Sequence, residues 1–229
     1  MFNVTNLASG YGQSQVIHDL NFSVGKQEIV AVMGRNGMGK TTLFKTLMGI
    51  LPTRGGSVTI DGTEIATMES HDRVANGIAY VPQGRMIFPS MTVLENIQTG
   101  LPASANGKVP DELYALFPVL YEMKGRRGGN LSGGQQQQLA IARALATNPK
   151  VLLLDEPTEG IQPSIIKDIA KSLKEIRKIR ELTIIVSEQV LSFTMEIADR
   201  FFVIDKGRFA YENTRANVDE ATISRYLSV

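Results

Sequence analysis

No cysteine occurs among the 229 residues. Its absence excludes disulfides, thiolate metal sites and thiol nucleophiles, and fits a reducing cytosol. A charge excess is missing as well, since 24 Lys and Arg face 23 Asp and Glu. Nothing global therefore draws the chain to nucleic acid or to a lipid surface, and any polyanion site must be local. Long apolar runs are also absent: those at 29–33 and 151–154 are strand-length, far below the ~20 residues of a bilayer-crossing helix. If the function is transport, another protein must form the channel. Residues 1–12 show neither the basic opening nor the continuous apolar stretch of a secretory signal. No internal repeat appears, and the glutamines at 135–138 are too few to make a low-complexity tract.

What is present suffices for a core. At 43% hydrophobic, residues 1–229 are expected to form one domain of two lobes. Short β-branched pieces at 2–7, 16–24 and 28–33 read as strands, and 41–48 as a helix stopped by Gly49 and Pro52. After the strand at 78–81 the texture turns helical and broken by Pro89, Pro102, Pro110 and Pro118, with a loop expected at 103–108 and a flexible segment at 125–130. Strand and helix alternate again from Val151, which argues for α/β layering with parallel strands. The clearest helix spans 164–180, with Ile165, Ile169, Leu173, Ile176 and Ile179 on one stripe. Its basic face is interleaved with Asp168 and Glu175 and reads as a solvated surface, with no nucleic-acid partner.

Gly34, Arg35, Asn36, Gly37, Met38, Gly39, Lys40 and Thr41 match G-x-x-x-x-G-K-[ST] between an apolar strand and a helix. Glycines let successive amides curl around phosphate oxygens, and the helix adds its positive end. Lys40 is expected to reach the β and γ phosphates of ATP and Thr41 to hold Mg²⁺. Such a site needs an acid at a strand end for the magnesium shell; Asp155 supplies it, and Glu156 next to it can take the proton of attacking water. Ser132, Gly133, Gly134 and Gln135 open a second helix as another anion-type end, with no lysine beside it. The simplest use of that spare end is to close on ATP held by another copy.

With Gln83 between them, these motifs in this order resemble the ATP-binding subunits of ABC transporters over essentially the whole chain. The resemblance implies a P-loop NTPase (RecA-like) α/β core with an antiparallel β subdomain, a core lobe at 1–84 and 149–229, and an inserted helical lobe at about 85–148. It implies that Tyr11 stacks on adenine, that Thr42 joins the P-loop contacts, that Gln83 senses magnesium, and that Ser132 and Gly134 touch the γ-phosphate across a head-to-tail dimer. Partners implied are a second ATPase subunit, identical or different, membrane-spanning permease subunits at the cytoplasmic face of the inner membrane, and indirectly a substrate-binding protein. Gln189 stands where the family's switch histidine falls, and Gln162 near its D-loop aspartate; only His18 and His71 occur, far off in sequence. A glutamine can hydrogen-bond a phosphate and the lytic water but cannot carry imidazole's charge.

Both departures resemble the branch serving branched-chain amino acid and amide uptake. Within it, residues 34–40, Val81 to Arg85 and Ser187, Glu188 and Gln189 look most like the urea-type subunit. Branched-chain amino acids are the alternative cargo, and a soluble non-transport ABC ATPase the alternative role. A small P-loop kinase or GTPase leaves Ser132 to Gln135 without a task. Phe88 or Met91 is expected to border the groove where the family docks its membrane subunit.

Overall fold

The computed structural model describes residues 1–228. In chain order the elements are β1 (Phe2–Tyr11), β2 (Ser14–Val24), β3 (Ile29–Met33), α1 (Lys40–Met48), β4 (Gly55–Ile60), β5 (Thr63–Glu64), α2 (Ser70–Ala75), β6 (Ile78–Val81), α3 (Val93–Gln98), α4 (Asp111–Leu116), α5 (Pro118–Glu122), α6 (Gly133–Ala146), β7 (Val151–Asp155), α7 (Pro163–Ile179), β8 (Thr183–Glu188), α8 (Leu191–Ile197), β9 (Arg200–Asp205), β10 (Arg208–Thr214) and α9 (Glu220–Leu227). They build an antiparallel sheet in the order β2-β1-β4-β5 and a second sheet in the order β10-β9-β3-β8-β7-β6. In the second sheet β9, β3, β8, β7 and β6 run parallel, and only the edge strand β10 is antiparallel.

The central strands are continuously apolar because both of their faces are covered. Every residue of β3 and β7 is buried. Ile29, Ala31 and Met33 enter the cluster shared with α3, α4, α6 and α7, whereas Val30 and Val32 enter the one shared with α1 and the antiparallel sheet. One strand thus serves two cores, and the helix α1 is fixed between the sheets. Its C-terminal carbonyls at Thr46 and Leu47 accept from the buried Arg73 guanidinium at 2.8 and 2.9 Å, which also donates to Met68 and Ala66. That cation satisfies helix-end acceptors where the dipole is negative. One apolar cluster runs through both the proposed core lobe and the proposed helical lobe.

Two local expectations need correction. Ile179 is 54% exposed rather than part of the α7 stripe; in the last turn it is Arg180 that turns inward, onto Glu112 and the Leu145 carbonyl. The segment 125–130 is also not a loose connector. Arg126 O accepts from Val93 N–H at 2.9 Å, Gly128 N–H donates to Met91 O at 2.8 Å, and residues 128–130 form a 3-10 turn.

Candidate functional site

The chain leaves β3 at Met33 and curls through Gly37 (φ 81°) to Gly39 (φ 111°), which caps α1. Both angles lie where a side chain is disfavoured, so the turn requires glycine. The result is a cleft of about 300 Å³ lined by Asn36, Gly37, Gly39, Lys40, Thr41, Thr42, Gln83 and Glu156. Lys40 is 4% exposed and donates to Gly34 O at 2.7 Å and Arg35 O at 3.1 Å, with Glu156 Oε1 3.0 Å away. The ammonium is thus held at the mouth of the amide cradle, against the carboxylate expected to act as base.

Asp155 ends β7 and is 1% exposed. Its Oδ1 accepts from Ser187 and its Oδ2 from Tyr80 at 3.1 Å. Burial pushes its carboxyl above the ordinary range, while the hydrogen bonds from Ser187 and Tyr80 pull the other way. A desolvated carboxylate of this kind is stabilised by a nearby cation. Burial and the charge of Asp155 together push the Tyr80 phenol well above its usual range, so it stays a donor.

Glu156 takes a left-handed backbone (φ 48°), which costs roughly 1–3 kcal/mol for such a residue and is typical of functional sites. Its N–H is held by Ser187 O at 3.0 Å. The turn delivers its carboxylate to three donors: Lys40, Gln189 Nε2 at 3.1 Å and Gln83 Nε2 at 3.2 Å. Gln189 also donates to Asn36 Oδ1 at 2.7 Å, which closes a ring from the glycine turn to the acid. Gln83 reaches Glu159 as well, at 3.0 Å.

Other expected residues lie elsewhere. Tyr11 stands 46% exposed at the β1–β2 turn and is not among the residues lining the cleft. Arg35 points to the carbonyl of Ser228, and Met38 packs into the core and bonds Gly207 N–H with its carbonyl. Ser132, Gly133, Gly134 and Gln135 line a separate cleft of about 550 Å³ with α7. There Ser132 and Gln135 form a reciprocal capping box, which leaves the amides of Gly133 and Gly134 without an acceptor among the described residues. A Cβ on Gly134 would lie 2.8 Å from Ile165, so glycine also sets how closely α6 meets α7.

Sequence reasoning gave no role to Ser187, Glu188 or Tyr80. Glu188 is 2% exposed and accepts from Thr158 N–H and Oγ1 and from the N–H groups of Gln189 and Val190, fastening the Glu156 turn to the end of β8. Burial pushes its carboxyl upward against those hydrogen bonds. A Glu188→Gln change presents an NH₂ to N–H donors and leaves at least one unsatisfied, at about 1–3 kcal/mol. The expected result is a melting temperature lower by roughly 2–12 °C, read by calorimetry.

The sequence profile described as ABC transporter matches residues 17–159, more than half of the chain. The chain belongs to the ABC transporter family. Among its relatives is the high-affinity branched-chain amino acid transport ATP-binding protein BraG of Pseudomonas aeruginosa, 38% identical over 219 residues and covering 94% of each chain. The lipopolysaccharide export system ATP-binding protein LptB of Haemophilus influenzae is 34% identical over 230 residues, covering 97% of this chain and 95% of the relative. An ATP-binding cassette of an ABC transporter, solved in its ADP conformation, superposes with a TM-score of 0.81 at 26% identity, covering 99% of this chain and 94% of that one. The fold is the ABC ATPase cassette, and the chain is an ATP-binding, ATP-hydrolysing subunit of that family.

Proposed function

We propose that this subunit powers an importer of branched-chain or similarly apolar amino acids, converting ATP hydrolysis at the Glu156 cleft into movement of partner membrane subunits. The observation that supports ATP hydrolysis here is the ring joining Lys40, Glu156, Gln189 and Asn36, in which the carboxylate after β7 meets the lysine of the glycine turn. Urea as cargo rests on motif likeness alone; the name of BraG favours the amino acid alternative, and its higher identity than LptB favours uptake over export. Restored uptake of labelled leucine, and not of labelled urea, in cells deleted for and then resupplied with the gene is the expected result. Urea uptake alone would reverse the assignment.

Each side chain has a task in this reading. The amides of 37–41 and the Lys40 ammonium hold the β and γ phosphates, Tyr11 stacks on adenine, and Glu156 takes the proton of the attacking water. Gln83 and Gln189 orient that water and the base by hydrogen bonds, without a charge of their own. Gly133 and Gly134, with Ser132 and Gln135, contact the ATP of a second ATPase subunit. Mg²⁺ fits the donor set: Thr41 at the cleft and Asp155 at the end of β7 offer hard oxygens, with Gln83 at the cleft wall. No group of three or more His, Cys, Asp or Glu side chains that could hold a metal occurs among the described residues. The ion would therefore be held jointly with phosphate oxygens, where it supplies charge neutralisation.

Among the described residues no helix is long and apolar enough to cross a membrane. An apolar groove of about 690 Å³, lined by Met48, Ile50, Val74, Tyr80, Met86 and Phe88, lies at the end of α1. Met86 is 68% and Phe88 43% exposed, an apolar patch of the kind that marks an interface. We assign it to a helix of the membrane-embedded subunit, which would place the chain peripherally on the cytoplasmic face of the inner membrane. Met91 does not line the groove. Changing Met86 and Phe88 together to Glu is expected to remove the chain from the membrane fraction with its melting temperature kept; persistent cosedimentation contradicts the assignment.

A further inference from the structure

Tyr80 belongs at once to two places that the function treats separately. It lies on β6, paired with Leu153 of the neighbouring parallel strand β7, so its side chain must reach forward along the sheet to arrive at Asp155. Tyr80 is also one of the residues lining the apolar groove, with Met48, Ile50, Val74, Met86 and Phe88. Its hydroxyl donates to Asp155 Oδ2 at 3.1 Å, while Ser187 holds the other oxygen. Serine or threonine is too short for that span, and phenylalanine fills the wall without donating. The result is a single rigid side chain whose face meets whatever enters the groove and whose tip fixes one oxygen of the carboxylate assigned to the metal.

We propose that Tyr80 is a positioning residue that makes metal binding at Asp155 depend on occupancy of the groove. The proposal rests on the reading of Asp155 as a magnesium-shell residue and adds a route by which a docked membrane subunit acts on it. A helix seated against Met86 and Phe88 touches the ring, and a displacement of the ring is a displacement of the hydroxyl, because nothing between them bends. Asp155 Oδ2 then either keeps its donor and its orientation or loses both. Gln83 also borders the cleft, but its amide bonds to Glu156 and Glu159, so it acts on the base rather than on Asp155. The two routes are separable by substitution.

The test measures binding of Mn²⁺, as a spectroscopic stand-in for Mg²⁺, by electron paramagnetic resonance on the ADP-loaded chain, alone and assembled with its membrane subunits. Tyr80→Phe is expected to weaken Mn²⁺ binding by the isolated chain about 3- to 10-fold, the size of one lost hydrogen bond. ADP affinity without a divalent ion should not change, which separates the effect from a damaged P-loop. Assembly should shift the Mn²⁺ affinity of the native chain and leave that of the variant unshifted. Equal Mn²⁺ affinity in the native chain and Tyr80→Phe, or an assembly shift that survives in the variant, overturns the proposal. Asp155→Asn is the companion control: if it too leaves Mn²⁺ binding intact, the metal assignment of Asp155 fails; if it weakens binding while Tyr80→Phe does not, only the role of Tyr80 fails.

Discussion

Glu156→Gln is expected to lower single-turnover ATP hydrolysis by about 10²- to 10⁴-fold while ATP still binds. The change keeps size and shape but removes the carboxylate that lies against Lys40 and is assigned to take the proton. Retention of binding follows from where the contacts lie: the amides of the glycine turn are untouched, and Lys40 keeps Gly34 O and Arg35 O. The left-handed backbone at Glu156 depends on Ser187 O and not on the carboxylate, so the turn should hold. Quenched-flow hydrolysis beside equilibrium ATP binding checks this. Unchanged turnover would remove Glu156 from the chemistry.

Lys40→Ala is expected to do the reverse, weakening ATP binding roughly 10²-fold through the loss of charge-assisted hydrogen bonds to phosphate. It also leaves Glu156, whose side chain is 8% exposed, without the cation 3.0 Å away. Stranding one member of a buried pair costs about 3–5 kcal/mol, or roughly 6–20 °C in melting temperature for a chain of this size. The double variant Lys40→Ala with Glu156→Gln, which removes both charges, should regain much of that temperature and none of the ATP affinity. Calorimetry and nucleotide titration on the three proteins read both effects. Full stability in Lys40→Ala would mean that the pair contributes nothing to the folded state.

The phosphate cradle is legible in the sequence because it is local: amides, cation and hydroxyl follow one another within a single strand-turn-helix. The continuous apolar runs of β3 and β7 likewise announce strands covered on both faces. What joins these pieces is not local. Gln189 meets Asn36 across 153 positions and Glu156 across 33, and no periodicity marks such a partner. Resemblance marked the position of Gln189, whereas its hydrogen bonds come from the ends of β7 and β8 lying side by side. Tyr80 carried no signal at all, since an aromatic residue in a β-strand usually just packs. Ile179 shows the opposite failure, a residue in register with the buried stripe that is left exposed at the last turn of α7.

The proposed function has one triphosphate shared between two chains, gripped by the glycine turn of one and by the unpaired amides of Gly133 and Gly134, at the start of α6, in the other. Sedimentation velocity of Glu156→Gln, with its companion ATPase subunit present if it has one, tests this most directly. Addition of ATP should convert the protein to a dimer, ADP should not, and adding Ser132→Arg should block the conversion. A protein that binds ATP under these conditions and still sediments as a monomer contradicts the account.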